Sequence, residues 1–347
     1  MKKYFVIAFA ALVAISSCTK NEIAGVADEA LTFSVVNYVQ QTRADVYPTS
    51  STFGVYAYFT PENWATDGDA NVFMDNLQIR YSPEYAQGQW GSDAKYFWPK
   101  SGAITFACYS PYTETSGNGF AAAPTFSKAG GFAFNYTIVD DTNVDLMTAD
   151  LVTDQSRSAS TTVTPTQQVG VEPVPVLFHH LLTQVAFKFQ TVKNPNPNVE
   201  KNEVVVKAVT INGINNTASF GSSAWAGQSG AVSYLFNPAT GNDLTLLPDE
   251  SPLGTQVASR ILLPQTLGTA QQVEVTYVIR TKYASNPDWT EETMTNSIEI
   301  ATALIPAWTP NMNVVYTITI NPYSTDPILF DPAIVPWAPV VSETLTI

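Results

Sequence analysis

The side chains able to do chemistry in this chain are few, and their spacing argues against a reaction centre. His179 and His180 are the only histidines, and they are adjacent. In an extended segment neighbouring side chains point to opposite faces, so the pair cannot hold one metal together without a bulge. No run of Asp, Glu or Cys nearby completes a ligand set, and one of the two is expected to be a hydrogen-bonded core or turn residue. The run Asp67-Gly68-Asp69-Ala70-Asn71 has the opening spacing of a calcium loop. The glycine needed at the sixth position is Val72, and the twelfth position is Gln78 rather than Glu. A solvated loop is the expectation there. The chain shows no Ser/His/Asp arrangement with a recognisable elbow and no phosphate-cradling glycine loop. An enzyme is not expected, nor is a cofactor or a metal.

The aromatic residues form a second group. Trp64, Trp90, Tyr96, Phe97, Trp98 and Trp225 could stack on sugar rings, which would make the protein a surface glycan binder. They could equally be core and turn anchors. Between Ala103 and Tyr109 the bulky residues alternate, which favours the core, and the same alternation puts Cys108 on a face with Ile104 and Phe106 as a small buried hydrophobe.

The elements that hold these residues read as strands. The chain has 347 residues, 45% of them hydrophobic and 13% charged, with 16 Tyr, 18 Phe and 7 Trp. Aromatic and β-branched residues suit a pleated surface, and 23 Pro with 18 Gly cut the chain into short segments. Strands are expected at Phe53 to Phe59, Leu77 to Tyr81, Ala103 to Tyr109, Phe132 to Val139, Val174 to Gln190, Val204 to Ile211, Arg260 to Pro264, Val273 to Arg280 and Val314 to Ile320. Gly213 and Gly221 are read as turns around Thr217 to Phe220. The polar stretch Ser156 to Glu172 is the expected boundary between two β-sandwiches in series. The net charge of −14, without any basic patch, excludes nucleic acid as a partner.

Both ends carry distinct signals. Lys2 and Lys3 precede the apolar run Tyr4 to Ile15, which ends in Ser16 and Ser17 before Cys18. This is the pattern of a secretory signal, and Ile15-Ser16-Ser17-Cys18 resembles a bacterial lipobox, implying that Cys18 becomes the lipidated first residue. Leu31 to Ala44 follows. Leu31, Phe33, Val35 and Val39 share one face of an extended segment, and Arg43 stands behind it. At the other end, Val335, Trp337, Val341, Leu345 and Ile347 alternate with smaller or polar residues, so the last segment also reads as a strand.

Taken in order, these features resemble the fimbrillin family of Bacteroidia, the type V pilus subunits. The resemblance rests on Cys18, Thr42-Arg43-Ala44, Lys95-Tyr96-Phe97-Trp98-Pro99, Phe106-Ala107-Cys108-Tyr109-Ser110-Pro111, Val144 to Ala149, Phe178 to Val185, Leu262-Leu263-Pro264-Gln265 and Trp308-Thr309-Pro310. It implies an all-β protein of two transthyretin-like β-sandwich domains. The parts would be a signal peptide at 1–17, a propeptide with a removable first strand at 18–43, domains at 44–160 and 172–334, and a donor strand at 335–347. It further implies an outer-membrane lipid anchor at Cys18, cutting between Arg43 and Ala44 by a trypsin-like, arginine-specific protease, and head-to-tail polymerisation with copies of itself or related subunits at the cell surface. The donor residues would be Val335, Trp337, Val341, Leu345 and Ile347. A tip or anchor subunit that is never cut is the other form this resemblance allows.

Overall fold

The computed structural model describes residues 30–35, 47–84, 90–99, 101–139, 144–156, 173–236, 243–248, 255–256, 259–302, 304–323 and 328–335. Among them the chain is almost entirely β. The strands of the first half are β1 (Phe33–Val35), β2 (Thr52–Thr60), β3 (Val72–Tyr81), β4 (Trp90–Gly91), β5 (Ala103–Ser110), β6 (Thr125–Ser127), β7 (Gly131–Thr137), β8 (Met147–Ala149) and β9 (Val152–Gln155). Then come β10 (Val174–Val176), β11 (Phe178–His180), β12 (Thr183–Thr191), β13 (Val199–Gly221), β14 (Ala224–Leu235), β15 (Leu244–Leu246), β16 (Thr255–Gln256), β17 (Arg260–Leu262), β18 (Gln272–Tyr283), β19 (Trp289–Glu299), β20 (Met312–Ile320) and β21 (Ile328–Val335). One short helix, Trp64–Asp67, is capped by the Asn63 side chain accepting from the Thr66 N–H.

A first sheet runs β10-β1-β4-β3-β2-β5-β8-β11, with β9 also on β5. Its two ends, β10 and β11, are consecutive in the chain with only Leu177 between them, so the sheet curls until one run of chain carries both borders. Leu31, Phe33, Phe53, Val55, Ile79, Trp90, Phe106, Cys108, Val174 and Val176 fill the space inside. Strand β5 is buried along its whole length because both faces are covered. Ile104, Phe106 and Cys108 point into this core, and Ala107 and Tyr109 point into another. The alternation read from the sequence around Cys108 is the one observed.

Two further sheets, β16-β12-β20-β21 and β19-β18-β13-β7-β6, pack around a core that includes Phe187, Phe189, Trp308 and Tyr316. The halves of the chain exchange strands. Val174 to His180, read as the start of the second half, pairs with β1 and β8 of the first. Conversely, hairpin β6–β7 of the first half lies in the sheet of β13. Gly213, read as a turn, lies within the 23-residue β13. Its φ is +76°, and a Cβ there would come within 2.3 Å of the Ala270 carbonyl oxygen. This bulge is where β13 passes from β18, its partner up to Asn212, to β7, its partner from Thr217. Gln265 bridges the same joint, accepting from the Asn215 N–H at 3.0 Å and donating to the Asn215 carbonyl at 3.3 Å. Around it a shared core brings Tyr109, Phe120, Phe134 and Tyr136 against Leu182, Phe220 and Leu263.

Candidate functional site: the slot of the first strand

The most informative site is the position occupied by β1. Sequence alternation puts Leu31, Phe33 and Val35 on one face, and the fold turns that face inward. Leu31 is 4% exposed and Phe33 1%. The Phe33 ring stands edge-on to Phe53 at 5.9 Å and to Phe106 at 5.6 Å, an arrangement that adds quadrupole attraction to burial. Val35 is half-buried against the same core.

The backbone of β1 is engaged on both sides. On one side it runs antiparallel to β4, Phe33 opposite Trp90, and the Leu31 N–H donates to the Tyr96 carbonyl at 2.7 Å. On the other it runs parallel to β10, where the Val174 N–H donates to the Thr32 carbonyl at 2.9 Å. Backbone groups alternate in direction along a strand, so those of Pro175 face away from β1. A residue without an N–H is tolerated there because no ladder bond is needed. The first strand of the sequence is thus an interior strand, joined by hydrogen bonds to segments more than fifty and more than a hundred residues away. Withdrawing it would open a slot between β4 and β10, with unpaired backbone on both walls and a Phe-sized space at Phe53 and Phe106.

Tyr47 closes the region beside the slot. Its ring stacks on Phe178 at 5.2 Å and meets Trp90 at 5.1 Å, and its hydroxyl lies 2.8 Å from Ser110 Oγ. Burial raises its pKa well above the ordinary phenol range.

The other candidates resolve into structural roles. His179 Nε2 lies 3.0 Å from Asp150 Oδ1, and His180 Nδ1 lies 2.9 Å from Asp145 Oδ1. The two rings therefore face different carboxylates, as strand geometry requires. Among the described residues no group of three or more His, Cys, Asp or Glu is arranged to hold a metal ion. In the calcium-like loop, Asp67 Oδ2 accepts from the Glu62 and Asn63 N–H groups, and Asp69 Oδ2 accepts from the Lys128 N–H. Their carboxylates are spent on the backbone. Cys108 is fully buried, and burial pushes its thiol pKa up. Trp64 and Trp90 are buried, and the half-buried Trp225 donates its indole N–H to the Leu181 carbonyl at 2.7 Å. Of the six aromatics proposed as a sugar platform, Phe97 alone is exposed by more than a third.

Cys18, Arg43 and Ala44 lie outside the described residues, as do Trp337, Val341, Leu345 and Ile347. Of the donor set only Val335 is described, as the last residue of β21. Strand β21 was missed in the sequence. It pairs antiparallel with β20 from Ile320–Ile328 to Asn313–Val335, and the Phe330 ring stacks on Tyr316 at 4.7 Å. Its signal was the pair Phe330 and Ile334, masked by Asp331 and Pro332, residues that an edge strand accommodates.

Comparison with known proteins agrees with this architecture. A family model described as fimbrillin-like matches residues 42–337. A fimbrial protein from Bacteroides vulgatus is similar in structure, with a TM-score of 0.64 at 17% identity over 89% of this chain and 99% of its own. A protein from Bacteroides uniformis, described as a candidate for cell adhesion, gives a TM-score of 0.51 at 14% identity with the same coverage. No curated protein matches in sequence.

Proposed function

The chain belongs to the fimbrillin-like family, and from that premise we propose that it is a structural subunit of a surface fimbria assembled by strand exchange. In this reading the precursor is exported, lipidated at Cys18 and held at the outer membrane. An arginine-specific protease cuts between Arg43 and Ala44, β1 leaves, and the C-terminal segment Val335 to Ile347 of another subunit enters the slot. The fimbrial and cell-adhesion descriptions of the two similar structures point the same way.

One observation carries the reading: a three-residue strand near the N-terminus is an interior strand of the first sheet, held between β10 and β4. Its retention is a matter of magnitude. Full burial of an apolar side chain is worth about 1.5–3 kcal/mol, so Leu31 and Phe33 together contribute about 3–6 kcal/mol. While β1 is part of the chain, that is enough to hold it. Once the chain is cut, β1 becomes a separate molecule, and binding a separate molecule costs about 4–15 kcal/mol in lost translational and rotational freedom. The same contacts then hold it weakly, and a longer strand with ladder hydrogen bonds and alternating apolar side chains displaces it. A strand given by one subunit and received by the next is a head-to-tail contact, and repetition builds a filament.

The test is to treat the purified precursor with an arginine-specific protease. A new N-terminus at Ala44 and a ladder of oligomers are expected, and truncation after Val335 should abolish the ladder while leaving the cut. Protein cut at Ala44 with an intact C-terminus that stays monomeric would overturn the assignment.

A further inference from the structure

Losing an interior strand threatens the rest of the fold, and the run Val174 to Leu182 is where the damage would spread. Its first part, β10, rests on β1. Its last part belongs to the joint between the halves. Leu181 donates its N–H to the Leu146 carbonyl at 2.8 Å and accepts the Trp225 indole N–H, and the Leu182 carbonyl accepts from the Asn311 N–H at 3.0 Å. If β10 came away and pulled the following residues with it, the joint would open too.

Between the two parts lies β11, which is fastened more heavily than a three-residue strand ordinarily is. It pairs residue for residue with β8, Phe178 opposite Ala149, His179 opposite Thr148 and His180 opposite Met147. The Asp150 N–H donates to the Leu177 carbonyl at 3.1 Å. The two histidines then reach over opposite faces of the pair to the carboxylates flanking β8, His179 to Asp150 and His180 to Asp145. Phe178 adds its stack on Tyr47. The two histidine–aspartate contacts thus straddle the sheet from both sides between slot and joint.

We propose that the His179–Asp150 and His180–Asp145 pairs form a latch that confines the opening of the β1 slot to β10, so that the subunit loses a strand without losing the joint between its halves. The proposal rests on the reading that β1 vacates its slot, but not on what cuts the chain or what refills it. The latch gives the chain's only two histidines a shared purpose that neither a metal site nor catalysis supplies.

The test uses the precursor chain, uncut at Arg43, and undocks β1 by substitution rather than by proteolysis, with amide exchange read by NMR. Phe33→Ala should accelerate exchange at Val174 and Val176 by about 100-fold, the factor matching the lower end of a buried Phe→Ala loss. Exchange at Leu181 and the Trp225 indole resonance should stay as in the parent. Adding Asp145→Ala and Asp150→Ala to Phe33→Ala should carry the acceleration through to Leu181 and shift the Trp225 indole. The same two Asp substitutions with Phe33 intact should leave both in place, which separates a latch from a general packing role. Asp145→Asn, which keeps a hydrogen-bond acceptor for His180, should restore part of the confinement. Spread to Leu181 with the latch intact would overturn the proposal, as would no spread once the latch is removed. A failure of protease cutting at Arg43 would leave all of these outcomes unchanged.

Discussion

The Phe33→Ala substitution tests the slot directly, and its magnitude follows from the packing. Phe33 is 1% exposed and meets two rings edge-on, so its removal loses the transfer energy of the ring, two edge-to-face contacts and whatever cavity remains. Buried Phe→Ala changes cost about 3–5 kcal/mol. The walls of the cavity are Phe53 and Phe106, both wholly buried on central strands of the sheet, and they have little room to relax inward. At about 1.4 kcal/mol per decade, the undocked population of β1 rises by about two to three and a half orders of magnitude. Because β1 is short and lies near the N-terminus, the loss should be local. Amide exchange at Thr32, Phe33 and Ser34 should accelerate by that factor, while Phe187 and Tyr316, in the core of the other half, hold their protection. Phe33→Leu, which keeps most of the volume, should cost much less. If Phe33→Ala left exchange in β1 within threefold of the parent, the slot would not be held by this side chain and the reasoning would fail. If every amide accelerated equally, β1 would be part of the global folding unit rather than a separable strand.

Three further outcomes follow from the same structure. Cys108 should resist thiol reagents at pH 8 in the folded protein and react fully on denaturation, as burial raises its pKa and blocks access; rapid native labelling would contradict its placement. Burial raises the pKa values of Tyr58 and Tyr109 to about 12, so the folded state keeps protons that the unfolded state releases near 10; stability should be intact below pH 10 and fall as pH climbs toward 12, with the 295 nm tyrosine titration following the loss of β circular dichroism. Gly213→Ala should destabilise by about 1–3 kcal/mol or more, since the new Cβ meets the Ala270 carbonyl oxygen at a positive φ that alanine disfavours; an unchanged thermal midpoint would show that the bulge relaxes.

Several features of this protein were legible in the residues alone because they depend on local periodicity. Alternation in Leu31 to Val35 and Ala103 to Tyr109 set which side chains share a face. What alternation cannot convey is which strand lies beside which. The interior place of β1, the passage of Val174 to His180 into the first sheet and of β6–β7 into the second, and the reading of Gly213 as a bulge all depend on hydrogen bonds between residues far apart in sequence. Strand β19 was missed because its edge position and largely solvated faces leave Trp289, Met294 and Ile298 as the few apolar marks in a polar run. The histidines show the division most clearly. Sequence placed them on opposite faces of a strand, and only the pairing of β11 with β8 brought a separate aspartate to each, because strand register is set by the packing of the whole sheet rather than by the neighbours of a residue along the chain.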